Sequence, residues 1–174
     1  MPLAPAATDY ANRTTVAIAE KAAVARTAAA MIKAGQTVFL DGGTTTAAIC
    51  RALSPALEIT VVTHSPTVAI ALIDHRSVRV LLIGGMLFRH SVVTVGAQAV
   101  EYVNSVSVEL FFMGVSGVHP VRGLTTGDAE EAAIKRSISR RAADTFVLAS
   151  SEKARLGAAP PGRGFPRRHR SDHR

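Results

Sequence analysis

Tryptophan is absent and aromatic residues make up only 5% of the chain, so large rings cannot carry the interior. Cys50 is the only cysteine, which excludes an internal disulfide and any cysteine-based metal cluster. A reducing, cytoplasmic setting fits that usage. No run of about 18 apolar residues occurs, and the start of the chain lacks a charged stretch leading into an apolar one. Membrane spanning and secretion are therefore not expected. Excess charge is also missing from most of the chain. The net +7 gathers in residues 152–174, with seven Lys/Arg against two acids, while residues 1–151 hold thirteen against eleven. A basic nucleic-acid-binding surface is thus not expected on the globular part. What remains is 174 residues, 48% of them hydrophobic, enough for one domain with a core of Ala, Val, Leu and Ile. That composition suits a parallel sheet wrapped by helices.

The most informative stretch is Val38-Phe39-Leu40-Asp41-Gly42-Gly43-Thr44-Thr45-Thr46-Ala47-Ala48-Ile49. An apolar run stops at an acid, passes two glycines and three threonines, and resumes with helix-compatible residues, which reads as strand, tight loop and helix N-terminus. Glycine lets backbone approach a ligand, threonine hydroxyls donate, and the unpaired amides of a first helical turn face the same point with the helix dipole behind them. Phosphate is the expected guest. Two glycines without a P-loop lysine also suit a plain turn with a threonine cap, so the loop needs its context.

Met1 to about Thr15 reads as a linker or loosely attached arm. A helix is predicted from Val16 to Lys33, stopped at Gly35, and another from the glycine-threonine loop to Leu53, closed by Ser54-Pro55. Glu58 to Thr63 repeats the strand grammar, and Ser65-Pro66 opens a short helix from Thr67 to about Asp74. A third strand, Val78–Ile83, ends on Gly84-Gly85. Val93 to Val106 reads as helical, and Val108 to Val115 as a fourth strand running into Gly114-Val115-Ser116-Gly117. Asp128-Ala129-Glu130-Glu131 has capping-box spacing ahead of a helix to about Ala143 with Ile134, Ile138 and Ala142 as its buried stripe. Thr145–Ala149 is a fifth strand, followed by Ser150-Ser151-Glu152-Lys153. Strands alternating with helices imply an α/β fold, a mostly parallel open sheet with helices on both faces. Ligands of such sheets sit outside the carboxyl ends of the strands. The ends that converge there are Asp41–Thr46, Thr63–Ser65, Gly84–Gly85 with Arg89, Gly114–Gly117 and Ser150–Lys153.

Beyond Leu156 the chain loses periodicity, with three prolines within seven positions and four arginines among the last eight residues. Residues 154–174 are expected to form a basic disordered tail. An accidental C-terminus, from a frameshift or truncated gene, is preferred here over a nucleic-acid-binding tail, because a sheet of this kind should continue with another strand.

Taken together, Glu20-Lys21, Gly35 to Thr46, Val61-Val62-Thr63-His64-Ser65, Leu82-Ile83-Gly84-Gly85, Phe112 to Gly117, Gly123-Leu124-Thr125-Thr126, Glu131 with Lys135, and Ser150-Ser151-Glu152-Lys153 occur in the order seen in one family. The stretch from about Thr15 to Lys153 resembles the effector-sensing domain of DeoR-type bacterial transcriptional regulators. The resemblance implies the fold of ribose-5-phosphate isomerase and the CoA transferases, a phosphorylated sugar as effector, a homo-oligomer, and a repressor's role in transcription without catalysis. DNA would be read only through a helix-turn-helix domain, for which Met1–Thr15 is too short. His64 stands where the family usually has Asn, and Glu109 where it usually has Asp.

On this reading Gly42, Gly43, Thr44, Thr45 and Thr46 hold the phosphate. Asp41 accepts from sugar hydroxyls or orients the loop. His64, Ser65, Gly84, Gly85 and Gly114 line the rim, and Arg89 reaches an anion there. Glu131 and Lys135 form either a surface ion pair or part of the rim. Lys153 resembles a lysine facing the ligand phosphate. No cofactor is implied, and a metal site at His64 lacks partners. The alternative is a sugar-phosphate isomerase or deaminase on the same fold. Its general base would have to be Asp41, Glu109 or Glu131. Cys50 is expected to be simply buried.

Overall fold

The structure is a computed structural model that describes residues 9–119, 121 and 123–149. Five strands, β1 (Thr37–Leu40), β2 (Ile59–Thr63), β3 (Val78–Leu82), β6 (Val108–Gly114) and β9 (Ala142–Leu148), form one sheet in the order β3-β2-β1-β6-β9. Every pairing in it is parallel. The chain runs outward from β1 to β3, then returns to the other side of β1 with β6 and β9. The sheet therefore changes direction between β1 and β6, the place where open α/β sheets leave a crevice.

Period-two patterning gives this sheet a core on each face. Val38 and Leu40 join Leu110, Phe112, Val61 and Ile49 on one side, while Phe39 joins Val62, Phe111, Met113, Ile134 and Ile138 on the other. Helices α2 (Ile18–Ala30), α3 (Thr44–Ala52) and α4 (Pro66–Ala71) contribute to the first core. Helices α5 (Ala97–Ser105) and α6 (Ala129–Arg141) contribute to the second. Rings are few but central: Phe39 meets Phe111 edge-on at 5.3 Å across β1 and β6.

Several boundaries differ from those predicted. The segment from Val93 read as helical is divided, with β5 (Val93–Val95) pairing antiparallel to β4 (Met86–Phe88) and the helix starting only at Ala97. The β-branched run Val93-Thr94-Val95 favours extended backbone, and Gly96 at φ +100° makes the turn into α5. A second ribbon, β7 (Gly117–His119) with β8 (Gly123–Thr125), also escaped the periodicity. The fifth strand begins three residues before the expected Thr145. Within the expected arm before Val16, α1 (Tyr10–Arg13) is a single helical turn docked through a bond from the Tyr10 amide to the His90 carbonyl, 3.1 Å. Residues 150–174 lie outside the described residues, and with them the expected tail, the last rim position and Lys153. Among the described residues no helix is long and apolar enough to cross a membrane.

Candidate functional site

The carboxyl end of β1 delivers Asp41 to the change of direction, where it is completely buried. Four donors from four parts of the chain satisfy it. Oδ1 accepts from the Gly42 amide and His64 Nε2, each at 2.8 Å. Oδ2 accepts from the Gly114 amide at 2.9 Å and lies 3.0 Å from Lys135 Nζ. Lys135, also buried, donates to the Gly114 carbonyl at 2.5 Å. Asp41 and Lys135 thus fasten the end of β1 to the end of β6.

His64 follows β2 and is likewise fully buried. Its Nδ1 faces the Thr94 carbonyl at 3.0 Å, an oxygen that can only accept, as is Asp41 Oδ1. Both bonds form at once only when the ring carries both protons. Thr94 also ties its own hydroxyl to the Ile83 carbonyl, 2.8 Å, and its amide to the His64 carbonyl, 2.8 Å. The ribbon β4–β5 is in this way fixed against the ends of β2 and β3. Glu131 lies 4.0 Å from Lys135 one helical turn away and accepts from the Ser91 hydroxyl at 3.1 Å.

Burial pushes Asp41 upward, but the charge of Lys135, the hydrogen bond and charge of His64 and the Lys135 hydrogen bond outweigh it and hold the carboxyl at about 2, below its ordinary 3.8. The unfolded chain therefore takes up this proton first on acidification. Asp41's stabilisation is fully present above its ordinary pKa and is lost as pH falls through the folded value. A shift of this size corresponds to about 2 kcal/mol. Urea unfolding between about pH 5 and pH 2 should show that loss, and Asp41→Asn should flatten the slope. An unchanged slope in Asp41→Asn would refute the assignment.

The expected rim residues divide into those the fold has committed and those it presents. Asp41 and His64 are committed, Asp41 to the loop amide of Gly42, to His64, to Gly114 and to Lys135. Ser65 caps α4, its hydroxyl accepting from the Val68 amide at 3.3 Å and meeting the Thr67 hydroxyl at 2.8 Å. Thr46 is buried and donates to the Gly43 carbonyl at 2.8 Å. Glu131 and Lys135 are no surface pair, since both are buried beside Asp41. The loop presents Gly43, Thr44 and Thr45, half-buried, at the N-terminus of α3, for which Gly43 at φ +135° is the cap. Gly114 stands beside them, because a Cβ there would meet the Gly42 carbonyl at 3.1 Å. Gly84 and Gly85 are exposed just before β4, and Arg89 just after it is exposed with no ion pair among the described residues.

Glu109 is at the wrong end of the sheet for the rim, accepting from the Thr37 amide at 2.7 Å where β1 begins. Cys50 is buried as expected, and burial, only partly opposed by its own hydrogen bond and by Arg51, pushes its thiol up to about 12. Three further residues at the site were not anticipated. Thr94 belongs to the strand mistaken for helix, and Ser91 to the turn between β4 and β5. Arg13 reaches in from α1, its guanidinium lowered by burial, which Glu131, Tyr10 and Asp9 partly offset. Among the described residues, Arg13 Nε and Nη2 are the buried side-chain atoms without a hydrogen-bond partner, a state that costs about 1–3 kcal/mol for a typical donor.

Residues 16–159 match the family model described as the DeoR C-terminal sensor domain. The HTH-type transcriptional regulator GlpR of Haloferax volcanii is 34% identical over 133 residues, covering 76% of this chain and 52% of that protein. The HTH-type transcriptional repressor GlcR of Bacillus subtilis is 31% identical over 144 residues, covering 83% of this chain and 55% of its own length. The chain thus spans about half the length of the curated relatives it matches. Among solved structures, ribose 5-phosphate isomerase A of Methanocaldococcus jannaschii superposes with a TM-score of 0.57 at 17% identity, covering 79% of this chain and 54% of that one. That likeness extends to the fold, an α/β sheet of Rossmann-like type. With its matching span running from the start of α2 past β9, the chain belongs to the DeoR family, as a protein bearing that family's C-terminal sensor domain.

Proposed function

We propose that this domain senses a phosphorylated sugar and that its occupancy controls transcription through a helix-turn-helix portion of the kind named in its relatives. The observation that carries this reading is the N-terminus of α3 opening at the change of strand direction, with Thr44 and Thr45 on its first turn. First-turn amides and the helix dipole suit a phosphate dianion there. The sugar would extend from it toward Gly114 and the β4–β5 ribbon. Support for the sugar comes from the solved neighbour, an enzyme whose name gives ribose 5-phosphate as its substrate. Sensing requires unequal affinity for two arrangements of the protein, here those of a cytoplasmic homo-oligomer.

An isomerase or deaminase is the weaker reading on chemical grounds. Asp41, held at about 2 and saturated with donors, is a poor general base. Glu131 is engaged by Ser91 and Lys135, and Glu109 is remote from the rim.

Ribose 5-phosphate, fructose 6-phosphate and glucosamine 6-phosphate, each beside its unphosphorylated sugar, form a direct test by thermal unfolding. A ligand at a hundred times its Kd adds about 2.7 kcal/mol, or roughly 5–10 °C for a domain of this size. Thr45→Val should abolish that shift without lowering the melting temperature of the free protein. Equal shifts from sugar and sugar phosphate, or no shift from any of the three, would refute the reading.

A further inference from the structure

The turn α1 lies outside the sheet yet is fastened on both sides of the phosphate loop. On one side the Tyr10 amide bonds to the His90 carbonyl at 3.1 Å and Asp9 Oδ1 meets His90 Nδ1 at 2.9 Å. His90 precedes Ser91, which holds Glu131. On the other side Tyr10 and Thr14 line, with Thr44, a cavity of about 540 Å³ between α1, α2 and α3. Lys21 Nζ donates to the Arg13 carbonyl at 2.5 Å, tying the end of the turn to α2. The Arg13 guanidinium lies over the Tyr10 ring, 5.9 Å from its centre. It feels the charge of Glu131 more than any other, while its neighbours Tyr10 and Thr14 share a cavity with the loop residue Thr44.

Nε and Nη2, the two unpartnered donors, form one edge of the guanidinium. That edge takes two oxygens of a phosphate or carboxylate side by side. Arg13 makes no ion pair among the described residues, Glu131 included. A half-buried cation on a turn that shares a cavity with Thr44, with one bidentate edge unpartnered among the described residues, has an oxyanion as its natural partner. We infer that Arg13 is a phosphate-binding residue of the effector site, supplied by the N-terminal turn, so that a bound effector pins α1 to the sensor domain. The inference rests on the sugar-phosphate reading above and adds a route by which occupancy is felt toward the start of the chain.

The test uses the full chain, with inorganic phosphate and the same three sugar phosphates as probes in calorimetric titration and hydrogen exchange. Arg13→Gln should weaken binding of inorganic phosphate and of the responding sugar phosphate by about tenfold or more, the scale of one lost charge-assisted pair. In the wild type, the ligand should slow exchange at amides of residues 10–16. If Arg13→Gln binds within about twofold of wild type while Thr45→Val does not bind, the site is right and this inference is wrong. If the wild type binds none of the probes, the sugar-phosphate reading falls and the inference with it. Should Arg13→Gln fail to fold, Arg13→Lys, which keeps the charge but not the paired donors of one edge, must weaken binding of the same probes. Unchanged affinity in Arg13→Lys would overturn the inference.

Discussion

Asp41→Ala should cost about 3–5 kcal/mol of unfolding free energy, the range for breaking a buried ion pair by deleting one partner. The carboxylate is the shared acceptor of Lys135, His64 and the amides of Gly42 and Gly114. Without it, the Lys135 ammonium keeps the Gly114 carbonyl but has its nearest carboxylate at 4.0 Å, in Glu131. His64 Nε2 keeps no acceptor, and the amides of Gly42 and Gly114 lose theirs. Against a typical domain stability of about 5–15 kcal/mol, that loss would leave a substantial part of the protein unfolded on mild heating. Asp41→Asn should fall between, since it keeps the shape and one acceptor oxygen. Adding Lys135→Met to Asp41→Ala should recover part of the loss, because the orphaned charge is then removed as well. Denaturant titration of the three variants measures this, and a loss below about 1 kcal/mol for Asp41→Ala would mean that the cluster is not the clasp between β1 and β6.

Gly42→Ala should cost about 1–3 kcal/mol through overpacking, although nothing but a methyl group is added. A Cβ at this position would stand 2.2 Å from Val93 Cγ1, far inside contact distance. Val93 is fully buried in the second core and pinned in β5 by pairing with Phe88. A β-branched side chain there has few other rotamers to move to. Relief must come from shifting the β4–β5 ribbon away from the loop, which would also loosen the Thr94 carbonyl from His64. Gly42→Ala with Val93→Ala should therefore lose less than the sum of the two single variants, by about 0.5 kcal/mol or more. Additive losses would show that the ribbon does not bear on the loop. The same pair offers a binding readout, since Gly42→Ala alone should also weaken any ligand of Thr44 and Thr45.

The strands that β-branched residues announce were legible in the chain, as were the glycine-threonine junction and Asp128 as a cap, which accepts from the amides of Glu130 and Glu131. Their signals are local, set by neighbours within a turn or two. The charged cluster was not legible, because Asp41 and Lys135 meet only through tertiary packing. A Glu-Lys pair at four-residue spacing ordinarily marks a solvated helix face. Here Glu131, Lys135 and Ile138 continue one buried stripe of α6, and that alignment with Ile138 is the one signal that could have placed the lysine inside. The β4–β5 ribbon was missed because Ala97, Val100 and Val103 carry a helical period that reads backward into Val93. α1 was missed because a four-residue turn held by His90 has no periodicity of its own.

The clasp around Asp41 draws on residues 41, 64, 114 and 135, so it spans most of the described residues. A ribosome releasing this protein from its first residue onward must deliver α6 before the carboxylate meets its ammonium partner. Up to that moment the half-made sheet carries an acid whose ammonium partner is still to come, and a product of synthesis or proteolysis that ends before Lys135 lacks the clasp.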